Sequence, residues 1–192
     1  MSSTSMITFL LALALSGSAV AQGTHQKEHG ANPPTAQTPY AGLQQRSIKA
    51  LSNQQVSDLR AGRGMGLALA AELNGYPGPL HALELAEELS LSPDQRSSID
   101  AALNSMKSET AAIGERVIAG ETELDSLFVS RRITLGNLDA AVMRIAAAQG
   151  ELRAAHLRYH LQMTTILSPE QAVTYARLRG YGASQPSPDP MR

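Results

Sequence analysis

Three times along this chain a Leu-Ser pair is followed, three residues after the serine, by glutamine: Leu51-Ser52-Asn53-Gln54-Gln55, Leu91-Ser92-Pro93-Asp94-Gln95 and Leu167-Ser168-Pro169-Glu170-Gln171. That spacing is a capping box. The serine hydroxyl accepts from a backbone N–H left unpaired in the first turn, and the glutamine reaches back to the N–H of the cap residue. Pro93 and Pro169 stand at the first helical position, where a missing N–H costs nothing. Asp94 and Glu170 place negative charge at the positive end of the helix dipole. Three helix starts of this kind predict an all-α fold.

The stop signals divide the chain accordingly. Helix one is expected from Ser52 to about Asn74, closed by Gly75-Tyr76-Pro77-Gly78-Pro79. Helix two covers Pro79 to about Leu89, and helix three runs from Ser92 to near Val129. After a turn at Arg131–Thr134, helix four extends to Ile166; helix five runs from Ser168 to about Arg179, with Gly180 or Gly182 as breaker. On helix three Ile99, Leu103, Met106, Thr110, Ile113, Val117, Gly120, Leu124 and Leu127 step by alternating fours and threes. On helix four Leu135, Leu138, Val142, Ile145, Gln149, Leu152, His156, Tyr159, Met163 and Ile166 do the same. A 3.5-residue period on both sides of a tight turn predicts a long antiparallel helical hairpin with shorter flanking helices.

Charge agrees with that pairing. Residues 72–130 hold 11 acidic and 3 basic side chains, and residues 131–192 hold 8 basic and 4 acidic, so one arm is acidic and the other basic. A hairpin two helices thick leaves a broad face open, to be covered by the short helices or by a second copy of the chain.

The two ends read differently. Met6 to Leu15 is a short apolar run followed by Ala19-Val20-Ala21, the pattern of a secretory signal cleaved after Ala21, although residues 1–5 carry no basic side chain. Residues 22–47 form a polar leader with Pro33, Pro34 and Pro39, and residues 183–192 a proline-rich tail; both are expected to be disordered. Residues 48–182 are the helical domain. Export without a single cysteine points to a bacterial periplasm, and no later stretch is apolar enough to span a membrane. The lack of cysteine also excludes disulfides, thiolate metal sites and a thiol nucleophile. A net charge of −1 and seven aromatic residues argue against nucleic-acid binding.

With these helix starts, an export signal and no cysteine, the chain resembles the periplasmic Spy/CpxP/ZraP-like superfamily, also called LTxxQ or heavy-metal-resistance proteins. The resemblance covers roughly residues 48–181 and rests best on Leu91, Ser92 and Gln95 and on Leu167, Ser168 and Gln171, with serine where the family commonly has threonine. It implies a cradle-shaped homodimer acting without ATP in envelope or metal stress. Some relatives bind unfolded polypeptides, others bind zinc, copper, nickel or cobalt, and others regulate a membrane signalling partner.

Candidate chemistry is sparse. His156 and His160 are one helical turn apart, a spacing a divalent ion can bridge; Met163 follows one turn later, and His81 beside Glu84 is the best partner from elsewhere. A divalent transition metal (Zn, Cu, Ni or Co) is the cofactor class these residues suggest. The family's His-x-x-x-Met step is not reproduced, because Thr164 stands four residues after His160. The alternative is that His156 is a core residue hydrogen-bonding near Glu109 and Thr110, with His160 in solvent. His25, Glu28 and His29 in the leader read either as a weak metal tether or as a solvated linker. The Arg60–Gly66 run lacks the strand and Gly-Lys-Ser/Thr of a phosphate loop; its small residues are expected to let helix one lie close against the hairpin or, with three glycines in five positions weakening the helix, to leave the backbone flexible there. There is no catalytic elbow and no His-Glu-x-x-His, so the chain reads as a non-enzymatic binding protein. Its preferred partner is unfolded or misfolded envelope protein, with Met65, Met106 and Met143 as adaptable contacts or, for Met106, core filling. Metal sensing or buffering is the rival, and a membrane signalling partner a third possibility.

Overall fold

The computed structural model of the chain describes residues 39–181. The export segment 1–21, the leader through residue 38 with His25, Glu28 and His29, Gly182 and the tail 183–192 lie outside the described residues. Every regular element in them is helical: a 3-10 turn at Leu43–Gln45, then α1 (Asn53–Arg60), α2 (Leu69–Glu72), α3 (Pro79–Glu84), α4 (Pro93–Val129), α5 (Leu135–Ile166) and α6 (Pro169–Leu178). Among the described residues there is no strand.

All three Leu-Ser-x-x-Gln elements form complete capping boxes. The hydroxyls of Ser52, Ser92 and Ser168 accept from the N–H of Gln55, Gln95 and Gln171 at 3.1, 3.1 and 3.2 Å. The same glutamines accept from the three serine N–H groups at 2.8, 3.0 and 2.8 Å. Thr134 and Asn137 build a fourth box at the start of α5. Gly180, left-handed at φ 76°, follows the last turn of α6.

Helix one is not continuous. It breaks into α1 and α2 because the chain between them takes left-handed φ values at Gly62 (63°), Met65 (45°) and Gly66 (78°). Close approach explains Gly62: a Cβ there would lie 2.5 Å from Thr110 Oγ1 and 2.6 Å from the Lys107 carbonyl oxygen. Thr110 uses the same contact, its hydroxyl lying 3.2 Å from the Gly62 carbonyl and 2.7 Å from that of Met106. Gly114 does the corresponding work on α4, since a Cβ there would run into the carbonyl of Leu59. Helix two is also shorter than expected, α3 giving way at Leu85 to turns that end with Ser90 at φ 50°.

α4 packs along α5, and α1 and α3 pack on α4. Three ion pairs join α4 to α5: Glu109–Arg158 at 2.5 Å, Arg116–Glu151, and Glu123–Arg144 at 2.8 Å. Partner numbers rise along α4 as they fall along α5. These pairs are solvent-exposed and screened, so each contributes little. Burial carries more. One apolar cluster joins Leu51 and Leu59 to Ile113, Val117 and Ile118 of α4 and Ala148, Leu152 and Ala155 of α5. A second joins Ala82, Leu89 and Leu91 to Ile99, Met163, Leu167 and Tyr175.

The buried face of α5 is rotated from the expected one. Ile145, Leu152, His156 and Met163 are buried as expected, but Ala141, Ala148 and His160 take places assigned to Val142, Gln149 and Tyr159, and Ala155 is buried beside His156. Leu135 is 81% exposed. Small side chains on the contact face let the two long helices approach, which bulky residues in those places would prevent.

The second and third capping boxes are stitched to each other. Gln95 Nε2 donates to Gln171 Oε1 and to the Ile166 carbonyl, both at 2.8 Å. Gln171 Nε2 donates to Gln95 Oε1 and to the Leu89 carbonyl, both at 3.1 Å. Each amide therefore uses both hydrogens, and each Oε1 accepts twice, once from a serine N–H and once from the other glutamine. The repeated motif is both a helix start and a clasp between the starts of α4 and α6.

Candidate functional site

Beyond the break in helix one, α2 packs on α5, and a cavity of about 320 Å³ lies beside them. Glu72 of α2, His81 of α3, Met106 of α4, His156 and His160 of α5, and Arg179 after α6 all line it. His81, His156 and His160, 75 and 79 residues apart in sequence, thus face one space. Met163 does not line it; it is fully buried in the second apolar cluster.

His160 is buried, not in solvent. Its Nδ1 lies 2.8 Å from the Tyr76 carbonyl oxygen, which can only accept, so Nδ1 carries the proton. The same nitrogen is 3.6 Å from Glu72 Oε2. Glu72, the one buried carboxylate among the described residues, accepts from the Tyr175 hydroxyl, and Arg179 Nε stands 3.9 Å from its Oε1. Tyr175 also accepts from the Gly78 N–H at 3.4 Å. Burial, reinforced by the hydrogen bond to Glu72, pushes the Tyr175 hydroxyl far above the usual phenol range, so it stays a donor.

His156 is only 2% exposed. Burial, helped by the neighbouring His160, pushes its pKa below the ordinary histidine value and keeps the ring neutral. It does not bond to Glu109 or Thr110. Glu109 pairs with Arg158 and accepts from the Tyr159 hydroxyl at 3.0 Å, and the Thr110 hydroxyl is committed to carbonyls. Two enclosed nitrogens, His156 Nε2 and Arg179 Nε, have no hydrogen-bond partner among the described residues. Both residues line the cavity. His81 Nδ1 is held 2.7 Å from Glu84 Oε2 near the surface.

Around the mouth the side chains change character. Met65, Leu69 and Leu80 line the cavity yet remain 42, 54 and 43% exposed, and Leu73 and Tyr76 are exposed in the same 65–80 segment. The site therefore sets buried Glu72, His156 and His160 beside buried Met106, with a partly exposed apolar rim.

Sequence reasoning brought forward the three histidines but missed Glu72, Tyr175 and Arg179. Glu72 had a signal: it is the only charge in the Leu67–Leu73 run of Leu and Ala. Among the described residues, no three His, Asp or Glu side chains converge as a group that could hold a metal ion. No family model, curated protein or solved structure matches the chain.

Proposed function

We propose that this chain is a non-enzymatic, exported stress protein of the Spy/CpxP type, an ATP-independent chaperone or adaptor that holds unfolded polypeptide. In this reading residues 1–21 direct export and are removed after Ala21. α4 and α5 form an antiparallel hairpin, and two chains pair as a cradle-like homodimer in the periplasm. The observation that carries it is the rim: Met65, Leu69 and Leu80 are left in water around a partly polar cavity. Exposed apolar side chains cost nothing to offer a client and gain by covering one, at roughly 25 cal/mol per Å² buried. Polar groups in the cavity tolerate a client backbone, and methionine adapts to varied sequences. Such contacts are weak and interchangeable, which lets a client fold while held. Aggregation of a reduced client is the test. Stoichiometric protein should suppress it, Leu69→Ser/Leu80→Ser should lose most of the effect, and absence of suppression by the unaltered protein would remove the chaperone claim.

A metal-sensing or buffering role is favoured by one specific observation, the sharing of a single cavity by His81, His156 and His160 with Glu72 and Met106. Neutral imidazoles are the ligand form, and a histidine whose Nδ1–H is engaged by a carbonyl, as in His160, is oriented for its other nitrogen to bind. Because no three of these groups converge, an ion would be held only after side chains move. Calorimetry with Zn²⁺, Cu²⁺, Ni²⁺ and Co²⁺ decides: micromolar binding abolished by His156→Ala/His160→Ala supports this role, and no heat opposes it.

A further inference from the structure

The turn that connects α4 to α5 has a composition unlike the rest of the surface. Phe128 and Val129 end α4 and Leu135 begins α5, and the three are 54, 70 and 81% exposed. Between them stand Arg131 and Arg132, also exposed. From residue 126 to residue 138 these arginines are the only charged side chains. Neither is ion-paired among the described residues; Arg132 Nε donates only to Ser130 Oγ, at 3.1 Å. The nearest acids along α4 are already engaged, Glu123 by Arg144 at 2.8 Å and Asp125 by Lys49 at 3.2 Å. Asp139 follows one turn into α5.

We propose that this end of the molecule docks on an anionic lipid surface, its apolar side chains entering the headgroup boundary while Arg131 and Arg132 meet lipid phosphates. An aromatic and two aliphatic side chains flanked by unpaired cations form the pattern that partitions into a bilayer interface. The charge decides among occupants. A second copy docked tip to tip would bring four unneutralised arginines together, whereas an anionic surface neutralises them. Shape argues against an extended polypeptide. A short turn closing two helix ends presents a blunt point, which a compliant acyl layer can close around and a single peptide strand cannot. No helix among the described residues is long and apolar enough to cross a membrane, so the contact is interfacial.

The chain contains no tryptophan, so Phe128→Trp introduces a lone reporter at the tip. The protein, as the exporting cell leaves it, is mixed at low ionic strength with vesicles of phosphatidylglycerol and phosphatidylcholine, or of phosphatidylcholine alone. The indole emission should shift to the blue on the anionic vesicles, with binding roughly 30-fold weaker on neutral ones, from two basic residues near the surface. Arg131→Gln/Arg132→Gln should produce the same loss, and Val129→Ser/Leu135→Ser should weaken binding at least about 5-fold with an unchanged far-UV spectrum. Emission that stays at the water-exposed wavelength on anionic vesicles overturns the proposal. So does binding indifferent to both sets of substitutions. A blue shift that instead tracks a doubled mass in light scattering, or appears only with a reduced client, assigns the tip to a second copy or to polypeptide and likewise overturns it.

Discussion

At the Gln95–Gln171 clasp every amide hydrogen has an acceptor and every amide oxygen has two donors. At the cavity, His156 of α5 and Arg179 after α6 each keep an enclosed nitrogen without a hydrogen-bond partner among the described residues. Both are polar clusters inside a small helical domain, and both join elements distant in sequence. The first is closed: it gains nothing from a ligand and loses heavily from any change. The second keeps a stock of unmet hydrogen bonds beside a cavity with an apolar rim, an arrangement that a bound molecule can improve. Satisfaction of hydrogen bonds thus separates the part of this molecule that holds the fold from the part suited to binding.

The largest effect should come from breaking the closed cluster. Gln171→Ala removes a cap, a donor to Leu89 and half of the amide pair, and should cost about 2–3 kcal/mol in chemical denaturation. Gln95→Ala should cost a similar amount. Because the two glutamines share hydrogen bonds, the double variant should fall short of the sum by about 1 kcal/mol, and strict additivity would mean that the clasp is not a unit. Tyr175→Phe comes next. It takes the hydroxyl donor from buried Glu72 and should cost about 1–2 kcal/mol, read from the same denaturation curves.

A smaller effect sharpens the contrast on the open side. Unfolded, His156 takes a proton near its ordinary value of 6.5; folded, burial delays protonation to lower pH. The unfolded state then binds more protons over that interval, so this contribution to stability is constant above about pH 7 and falls as pH drops through the interval. His156→Leu, which keeps the volume and removes the titration, should flatten the decline in melting temperature between pH 7.5 and 5. Equal declines in both proteins would show that His160, Glu72 or another group controls the acid response.

The helix starts were legible because a capping box is local: serine, glutamine and their partners lie within four residues. The Thr134–Asn137 box was just as local and was passed over because it departs from the Leu-Ser-x-x-Gln wording. The clasp was not legible, since side chains whose amides meet across 76 residues leave no local signature. Reading helix one as unbroken from Ser52 to Asn74 gave too little weight to Gly62, whose close approach to α4 outweighs helical propensity, and to Gly66, which like Gly62 takes a left-handed φ. The face of α5 was set by its large apolar residues, while the buried positions went to alanines that fit the spacing to α4. At the site, the i,i+4 histidines and His81 were visible as donors. The sequence did not reveal that Glu72, Tyr175 and Arg179 would meet them, because that depends on where the broken helix turns.

Hydrogen exchange with and without a reduced, unfolding client tests the division of labour most directly. Added client should slow exchange in residues 65–80, around Met65, Leu69 and Leu80, and leave the amides of Gln95 and Gln171 as slow as before. Unchanged exchange across 65–80, with protection appearing at the clasp or nowhere, would contradict the account.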